Sequence, residues 1–91
     1  MVIRRSVGAY PTFRESAVCL GITEEIADML LTAIRHLRTN GHCYPPLMDA
    51  GTRVLYIPSL DDTTPDLRLF YRIDEDTNQV ILIAVQRADG R

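Results

Sequence analysis

The stretch that decides the fold is residues 67–87, which read LRLFYRIDEDTNQVILIAVQR. From Leu67 to Ile73, apolar side chains alternate with arginine and phenylalanine, which is the two-residue period of a β-strand with one buried face. Residues 74–78 are polar and acidic, as in a turn. Residues 80–85 are apolar at every position, which is typical of a central or well-covered strand. The segment therefore predicts an antiparallel β-hairpin.

The register of this hairpin decides which arginines share a face of the sheet. If Ile73 pairs with Val80 across the turn, Arg68 lies opposite Val85, and Arg87 projects just beyond it on the face of Arg68. A slip of one residue would send Arg87 to the other face, because successive side chains of a strand point to opposite sides.

Arg68 and Arg72 lie on one face of the predicted strand with Phe70 between them, about 13 Å apart at roughly 3.3 Å per residue. An arginine–aromatic–arginine face is suited to phosphate contact and base stacking. It is equally suited to a solvated face whose arginines form salt bridges with the acidic turns. The pattern by itself leaves both interpretations open.

A long amphipathic helix precedes the strands. Its apolar residues recur at steps of three and four, in the series Ile22, Ile26, Met29, Leu30, Ala33, Ile34 and Leu37. Thr23 can cap the first turn, and the acidic pair that follows it favours the positive end of the helix dipole. Asn40 and Gly41 then end the helix. We expect a helix over about residues 23–39, with its stripe packed on the sheet.

Three shorter elements are expected elsewhere: a strand or ordered arm over residues 1–7, a helix over residues 12–20, and a strand over residues 53–57. Gly8 and Pro11 break the first element, and Pro58 ends the last. The order predicts an α+β fold, with an N-terminal strand and helices packed on a twisted, mostly antiparallel sheet of three to four strands. Residues 1–91 make one domain, as expected for a chain of this length.

Charge and composition limit the classes of function. The net charge of −2 argues against a general nucleic-acid-binding protein, although all ten basic residues are arginine and several flank the predicted strands. No apolar stretch is long enough to cross a bilayer and the first residues do not resemble a secretory signal, so we expect a cytoplasmic protein. Cys19 and Cys43 are then expected to be reduced core thiols, with a disulfide as the alternative.

Metal and cofactor sites are not expected. His36, His42 and Cys43 are close in sequence, but they do not form the four-ligand pattern of a structural zinc site. The glycines are isolated, so no phosphate-binding loop is present, and no serine lies in a GxSxG motif.

The hairpin resembles the C-terminal hairpin of the RelE/ParE toxin superfamily. The resemblance rests on residues 68–75, a strand with arginine and tyrosine that leads into an acidic turn, and residues 80–87, an apolar strand that ends in a basic residue. It implies a fold of strand, helices and three strands, and a toxin of a type II toxin–antitoxin module. RelE-like members cut mRNA in the ribosome, whereas ParE-like members act on DNA gyrase.

The resemblance also implies site residues and partners. Arg68 matches the strand arginine of the RNase branch, and Arg53 and Arg87 match its other basic positions more loosely. These three arginines would stabilise charge on the scissile phosphate. The tyrosine or histidine that usually follows the last strand is absent, since the last tyrosine is Tyr71 and the last histidine is His42.

The expected partners are a cognate antitoxin protein and either the ribosome with mRNA or DNA gyrase, and no membrane. Three hypotheses follow: an mRNA endoribonuclease, a ParE-like or non-catalytic protein that grips a protein partner, and a relative without toxicity.

Overall fold

Two helices and one four-stranded sheet make up the residues described by the computed structural model, which are 4–40, 51–59 and 63–88. In chain order the elements are β1 (Ser6–Ala9), α1 (Pro11–Leu20), α2 (Glu24–Asn40), β2 (Thr52–Ile57), β3 (Leu67–Asp74) and β4 (Gln79–Arg87). The strands lie in the order β1-β4-β3-β2, with β1 parallel to β4 and the other neighbours antiparallel. The predicted α+β class, the hairpin and the central position of β4 are confirmed.

Helix α1 extends along the edge of β4 where β1 ends. Pro11 occupies the first turn, where its missing N–H costs nothing, and Gly21 at φ 79° ends the helix. The Thr12 hydroxyl donates to the carbonyl of Ile83 at 2.7 Å, and the Ser16 hydroxyl accepts from the N–H of Val85 at 3.0 Å. These side chains pair backbone groups of β4 that no neighbouring strand reaches.

Helix α2 begins where the sequence predicts, because the hydroxyl of Thr23 accepts a hydrogen bond from the N–H of Ile26 at 3.3 Å. Its far end is tied to the chain before β1 by a reciprocal pair of contacts. The N–H of Arg5 donates to the carbonyl of Arg38 at 3.0 Å, and Nε of Arg38 donates to the carbonyl of Arg5 at 2.8 Å. These two hydrogen bonds fix the C-terminal end of α2 to the chain before β1.

One face of the sheet, the covered face, packs against the helices. Its buried side chains form one apolar cluster with α2, made of Ile26, Leu30, Ala33, Leu37, Leu55, Leu67, Leu69, Tyr71, Val80, Leu82 and Val85. Phe13, Ala17 and Leu20 of α1 pack against this cluster. The predicted packing of the α2 stripe on the hairpin is therefore confirmed, except that Ile22 precedes the helix and is 45% exposed.

A β-bulge in β4 changes the register of the hairpin. Ile73 pairs with Val80 as predicted, but the pairing shifts by one residue between Phe70 and Tyr71, so that Arg68 lies opposite Gln86. The prediction that Arg68 lies opposite Val85 is wrong, because β4 holds one residue more than β3 over this stretch.

Two smaller predictions are also corrected. Strand β1 covers Ser6–Ala9 and includes Gly8, which was expected to break it. Gly8 fits there because β1 is a short edge strand in which the side chain of Gln79 covers the glycine. Cys19 is exposed on α1 and is not a core thiol, since the apolar face of α1 is formed by other positions. Cys43 and His42 lie outside the described residues.

Candidate functional site

The second face of the sheet, the open face, carries side chains in rows that cross β2, β3 and β4. Paired residues share a face, so the register assigns Tyr56, Arg68 and Gln86 to one row, Val54, Phe70 and Ala84 to the next, and Thr52, Arg72 and Ile81 to a third. No residue of these three rows belongs to the buried cluster. The open face is thus partly apolar, with two arginines and two aromatic rings.

The structure does not bring the three arginines from the resemblance onto one face. Arg68 is exposed on the open face. Arg53 pairs with Tyr71, and Arg87 pairs with Leu67, and both of these partners are fully buried on the covered face. The prediction that Arg87 shares the face of Arg68 is wrong, because the bulge inserts one residue between them and the alternation reverses.

A tyrosine and an aspartate form a fixed pair beside Arg68. The hydroxyl of Tyr56 donates a hydrogen bond to Oδ2 of Asp66, and Oδ1 of Asp66 accepts from the N–H of Ser59 at 2.8 Å. The backbone carbonyl of Asp66 accepts from the N–H of Ala88 at 2.9 Å. Contacts from β2, from the loop after it and from the end of β4 therefore hold this aspartate.

The electrostatics of Tyr56 reflect these neighbours. The hydrogen bond to Asp66 raises the pKa of the Tyr56 hydroxyl above its ordinary value, with smaller contributions from desolvation and from the negative charge of Asp66. The positive charge of Arg68 opposes this change in pKa. Tyr56 therefore stays protonated at neutral pH, and the guanidinium of Arg68 is close enough for its charge to be felt at the hydroxyl.

Arg72 is engaged within the open face. Its Nη1 donates to the hydroxyl of Tyr10 at 2.9 Å, which joins β3 to the chain between β1 and α1. This contact gives Arg72 a bracing role across the sheet, so we do not include it in the candidate site.

A groove lies between α2 and the edge strand β2. Its volume is about 630 Å³, and its walls include the apolar side chains of Met29, Ala33, Leu55 and Ile57. Glu25 and Asp28 also line it. Strand β2, which supplies Leu55, Tyr56 and Ile57 to the groove, is an edge strand of the sheet.

In the described ranges, no group of three or more histidine, cysteine, aspartate or glutamate side chains comes together. His36, one of the three soft ligands considered from the sequence, lines the groove. Neither helix of the described residues is long and apolar enough to span a bilayer.

Sequence reasoning missed Tyr56 and Asp66. The signal that could have found them is the antiparallel pairing of Ile57 with Leu67, which places Tyr56 opposite Arg68. Asp66 is two residues before Arg68, so it lies on the same face and diagonally across from Tyr56. This pairing was not predicted, because the intervening residues set the length of the connection and no turn motif defines it.

Comparison with known proteins identifies the fold. A chain in the crystal structure of the toxin–antitoxin complex RelBE2 from Mycobacterium tuberculosis superposes with a TM-score of 0.72 at 22% sequence identity, and the match covers 93% of this chain and 99% of that chain. No protein-family model matches the sequence, and no curated protein matches it. The fold is therefore RelE-like, as the resemblance of the hairpin implied.

Proposed function

We propose that this chain is the toxin of a type II toxin–antitoxin module and that it is a RelE-like endoribonuclease that cuts mRNA in the ribosome. The observation that carries the proposal is the exposed Arg68 at the centre of a row on the open face, flanked by Tyr56 and Gln86. A guanidinium there can donate two parallel hydrogen bonds to a phosphate. The likeness to a chain of a toxin–antitoxin complex supports the toxin role and an antitoxin partner.

The open face offers RNA more than a single charge. Phe70 lies in the row next to Arg68 and is half-buried, so part of its ring is available for a base to stack on. The acidic side chains of Glu24, Glu25 and Asp28 belong to α2, which packs on the covered face. On the open face the carboxylate of Asp66 lies near Arg68, where it is bound by Tyr56 and Ser59. The attraction for a phosphate therefore rests on direct contact with the guanidinium of Arg68 and not on a net positive field.

Within this proposal Arg68 acts on the transition state. Negative charge grows on the phosphate oxygens as the RNA backbone is cut, and a positioned donor stabilises that charge more than it stabilises the ground state. Arg53 and Arg87 are left out of the proposed site, because the register assigns both to the covered face.

The test is to induce the chain in growing cells and map the ends of mRNA on translating ribosomes. We expect new ends with the native chain and a loss of about 10²–10³-fold in cleavage with Arg68→Ala. Arg68→Lys should also be impaired, because lysine keeps the charge and loses the planar fork. Arg35→Ala is the matched control, since Arg35 is an exposed arginine on α2.

Two results would count against the proposal. Unchanged cleavage in Arg68→Ala would remove this arginine from the mechanism. Absence of new mRNA ends with the native chain would contradict the proposed endoribonuclease activity.

A second candidate function is that of a ParE-like protein, which acts by binding a protein such as DNA gyrase. The groove between α2 and β2 favours it, because Met29 and Leu55 line an apolar cleft beside an edge strand. In that case growth arrest would occur with intact transcripts and would follow loss of gyrase activity. Met29→Glu in the groove would then relieve the arrest, whereas Arg68→Ala would leave it in place.

A further inference from the structure

In the hydrogen bond between Tyr56 and Asp66, the phenol is the donor and the carboxylate is the acceptor. Tyr56 is 53% exposed, and its proton is directed at Oδ2 of Asp66. The phenolic oxygen is therefore committed as a donor towards Asp66, and its remaining lone pairs can accept a hydrogen bond from a hydroxyl group that arrives on the open face. Asp66 is in turn oriented by the N–H of Ser59, so the acceptor is held in place before a ligand binds.

A cation lies next to this acceptor. Arg68 is the residue directly opposite Tyr56 in the pairing of β2 with β3, and its charge acts on the Tyr56 hydroxyl. Directly opposed residues have Cβ atoms about 4.5–5.5 Å apart. One spot on the open face thus presents an oxygen acceptor and a guanidinium side by side.

This combination fits one feature of RNA. In a ribonucleotide the 2′-hydroxyl is the neighbour of the 3′-phosphate, so a donor group and an anion are presented together. DNA has the phosphate without the hydroxyl, and the 2′-hydroxyl is the group by which proteins distinguish the two nucleic acids. Arg68 alone would hold either backbone, whereas Tyr56 has a partner only in RNA.

We propose that Tyr56 and Asp66 accept the proton of the 2′-hydroxyl at the cleavage site, while Arg68 holds the phosphate; this inference rests on the proposed function. In the step, the 2′-oxygen gives its proton to the Tyr56 oxygen as Tyr56 passes its own proton to Asp66. The 2′-oxygen forms a bond to phosphorus, and the bond from phosphorus to the 5′-oxygen breaks. The 5′-oxygen takes a proton from water, and Asp66 returns its proton to the hydroxide that remains.

The products of this step are a 2′,3′-cyclic phosphate and a 5′-hydroxyl. Relay through Tyr56 is required because the phenol itself stays protonated at neutral pH, so it can act as a base only by passing its proton on. Within this proposal the pair supplies an acid–base group beside the phosphate that Arg68 holds.

The experiment measures single-turnover cleavage of a defined mRNA on purified ribosomes by the native chain, Tyr56→Phe, Asp66→Asn and Tyr10→Phe. We expect the first two variants to lose about 10²–10⁴-fold in rate, which is the range for general acid–base groups. Tyr10→Phe is the control, since it removes the hydroxyl of another exposed tyrosine, one that binds Arg72 outside the proposed site. Its rate should stay within about threefold of the native rate.

A second measurement separates chemistry from folding and binding. The affinity for ribosomes that carry an mRNA with a 2′-deoxy nucleotide at the cleavage site should be the same for the native chain and Tyr56→Phe. If Tyr56 and Asp66 serve only to fasten the loop after β2, the variants would lose melting temperature and affinity, and their rate per folded molecule would be native. That result, or a native rate in Tyr56→Phe, would overturn the catalytic role of Tyr56 and Asp66 while leaving the proposed function intact. Absence of cleavage by the native chain would overturn both.

Discussion

The covered face and the open face are built from the same strands, and they differ in almost every physical property. On β3, the side chains of Leu67, Leu69 and Tyr71 are 0% exposed, whereas the alternate residues include the exposed Arg68. The covered face holds the apolar cluster with α2, and the open face holds Arg68, Arg72 and the tyrosine–aspartate pair. A shift of one position along a strand therefore separates residues that stabilise the fold from residues available to a ligand.

The largest stability effect that tests this comparison is expected at two adjacent leucines on α2. Leu30 is 7% exposed and lies in the cluster of the covered face, whereas Leu31 is 56% exposed. We expect Leu30→Ala to lower the free energy of unfolding by about 2–5 kcal/mol, because the substitution leaves a cavity. Leu31→Ala should change it by less than about 0.5 kcal/mol. Chemical denaturation of both variants checks this, and equal effects would show that the stripe does not face the sheet.

A smaller effect is expected where α1 replaces a strand at the edge of β4. Ser16→Ala removes the acceptor for the N–H of Val85, a residue that is 1% exposed. A buried donor left without a partner costs about 1–3 kcal/mol, and the better helix propensity of alanine offsets roughly 0.5 kcal/mol of that. Arg14→Ala, at an exposed position of the same helix, is the control. Faster hydrogen exchange at the Val85 amide in Ser16→Ala alone would support this contact, and unchanged exchange would argue against it.

The smallest expected effect concerns the middle row of the open face. Phe70→Leu keeps an apolar side chain but removes the ring on which a base can stack, so we expect affinity for a single-stranded RNA oligonucleotide to fall by about 1 kcal/mol, the lower end of the range for base stacking. The melting temperature should change little, since Phe70 is outside the buried cluster. Fluorescence anisotropy measures the affinity, with Leu31→Ala as an exposed apolar control. Native affinity in Phe70→Leu would place RNA elsewhere.

Much of the covered face could be predicted from the sequence, because burial leaves a periodic signal. The alternation from Leu67 to Ile73 identified β3, and the steps of three and four with a Thr23 cap identified α2. In each case the same residues set both the local conformation and the packing. The hairpin next to the acidic turn was correct for the same reason, since Ile73 pairs with Val80.

The open face could be predicted only in part, because its geometry depends on one irregularity. Residues 80–85 are apolar at every position, so no alternation marks where β4 gains its extra residue. The bulge therefore could not be read from the sequence, and it is what separates Arg87 from Arg68. The Tyr56–Asp66 pair depends on the register of β2 with β3, which the sequence does not define either.

The most direct test of the open face as the functional surface is to compare Arg68→Ala with Arg87→Ala. Both change one arginine of the hairpin to alanine, and the register assigns the two arginines to opposite faces. The measurement is the single-turnover rate of mRNA cleavage on purified ribosomes, with melting temperatures to confirm folding. We predict a loss of about 10²–10³-fold for Arg68→Ala and a rate within about threefold of native for Arg87→Ala. Equal losses in the two variants, or a larger loss for Arg87→Ala, would contradict the assignment of function to the open face.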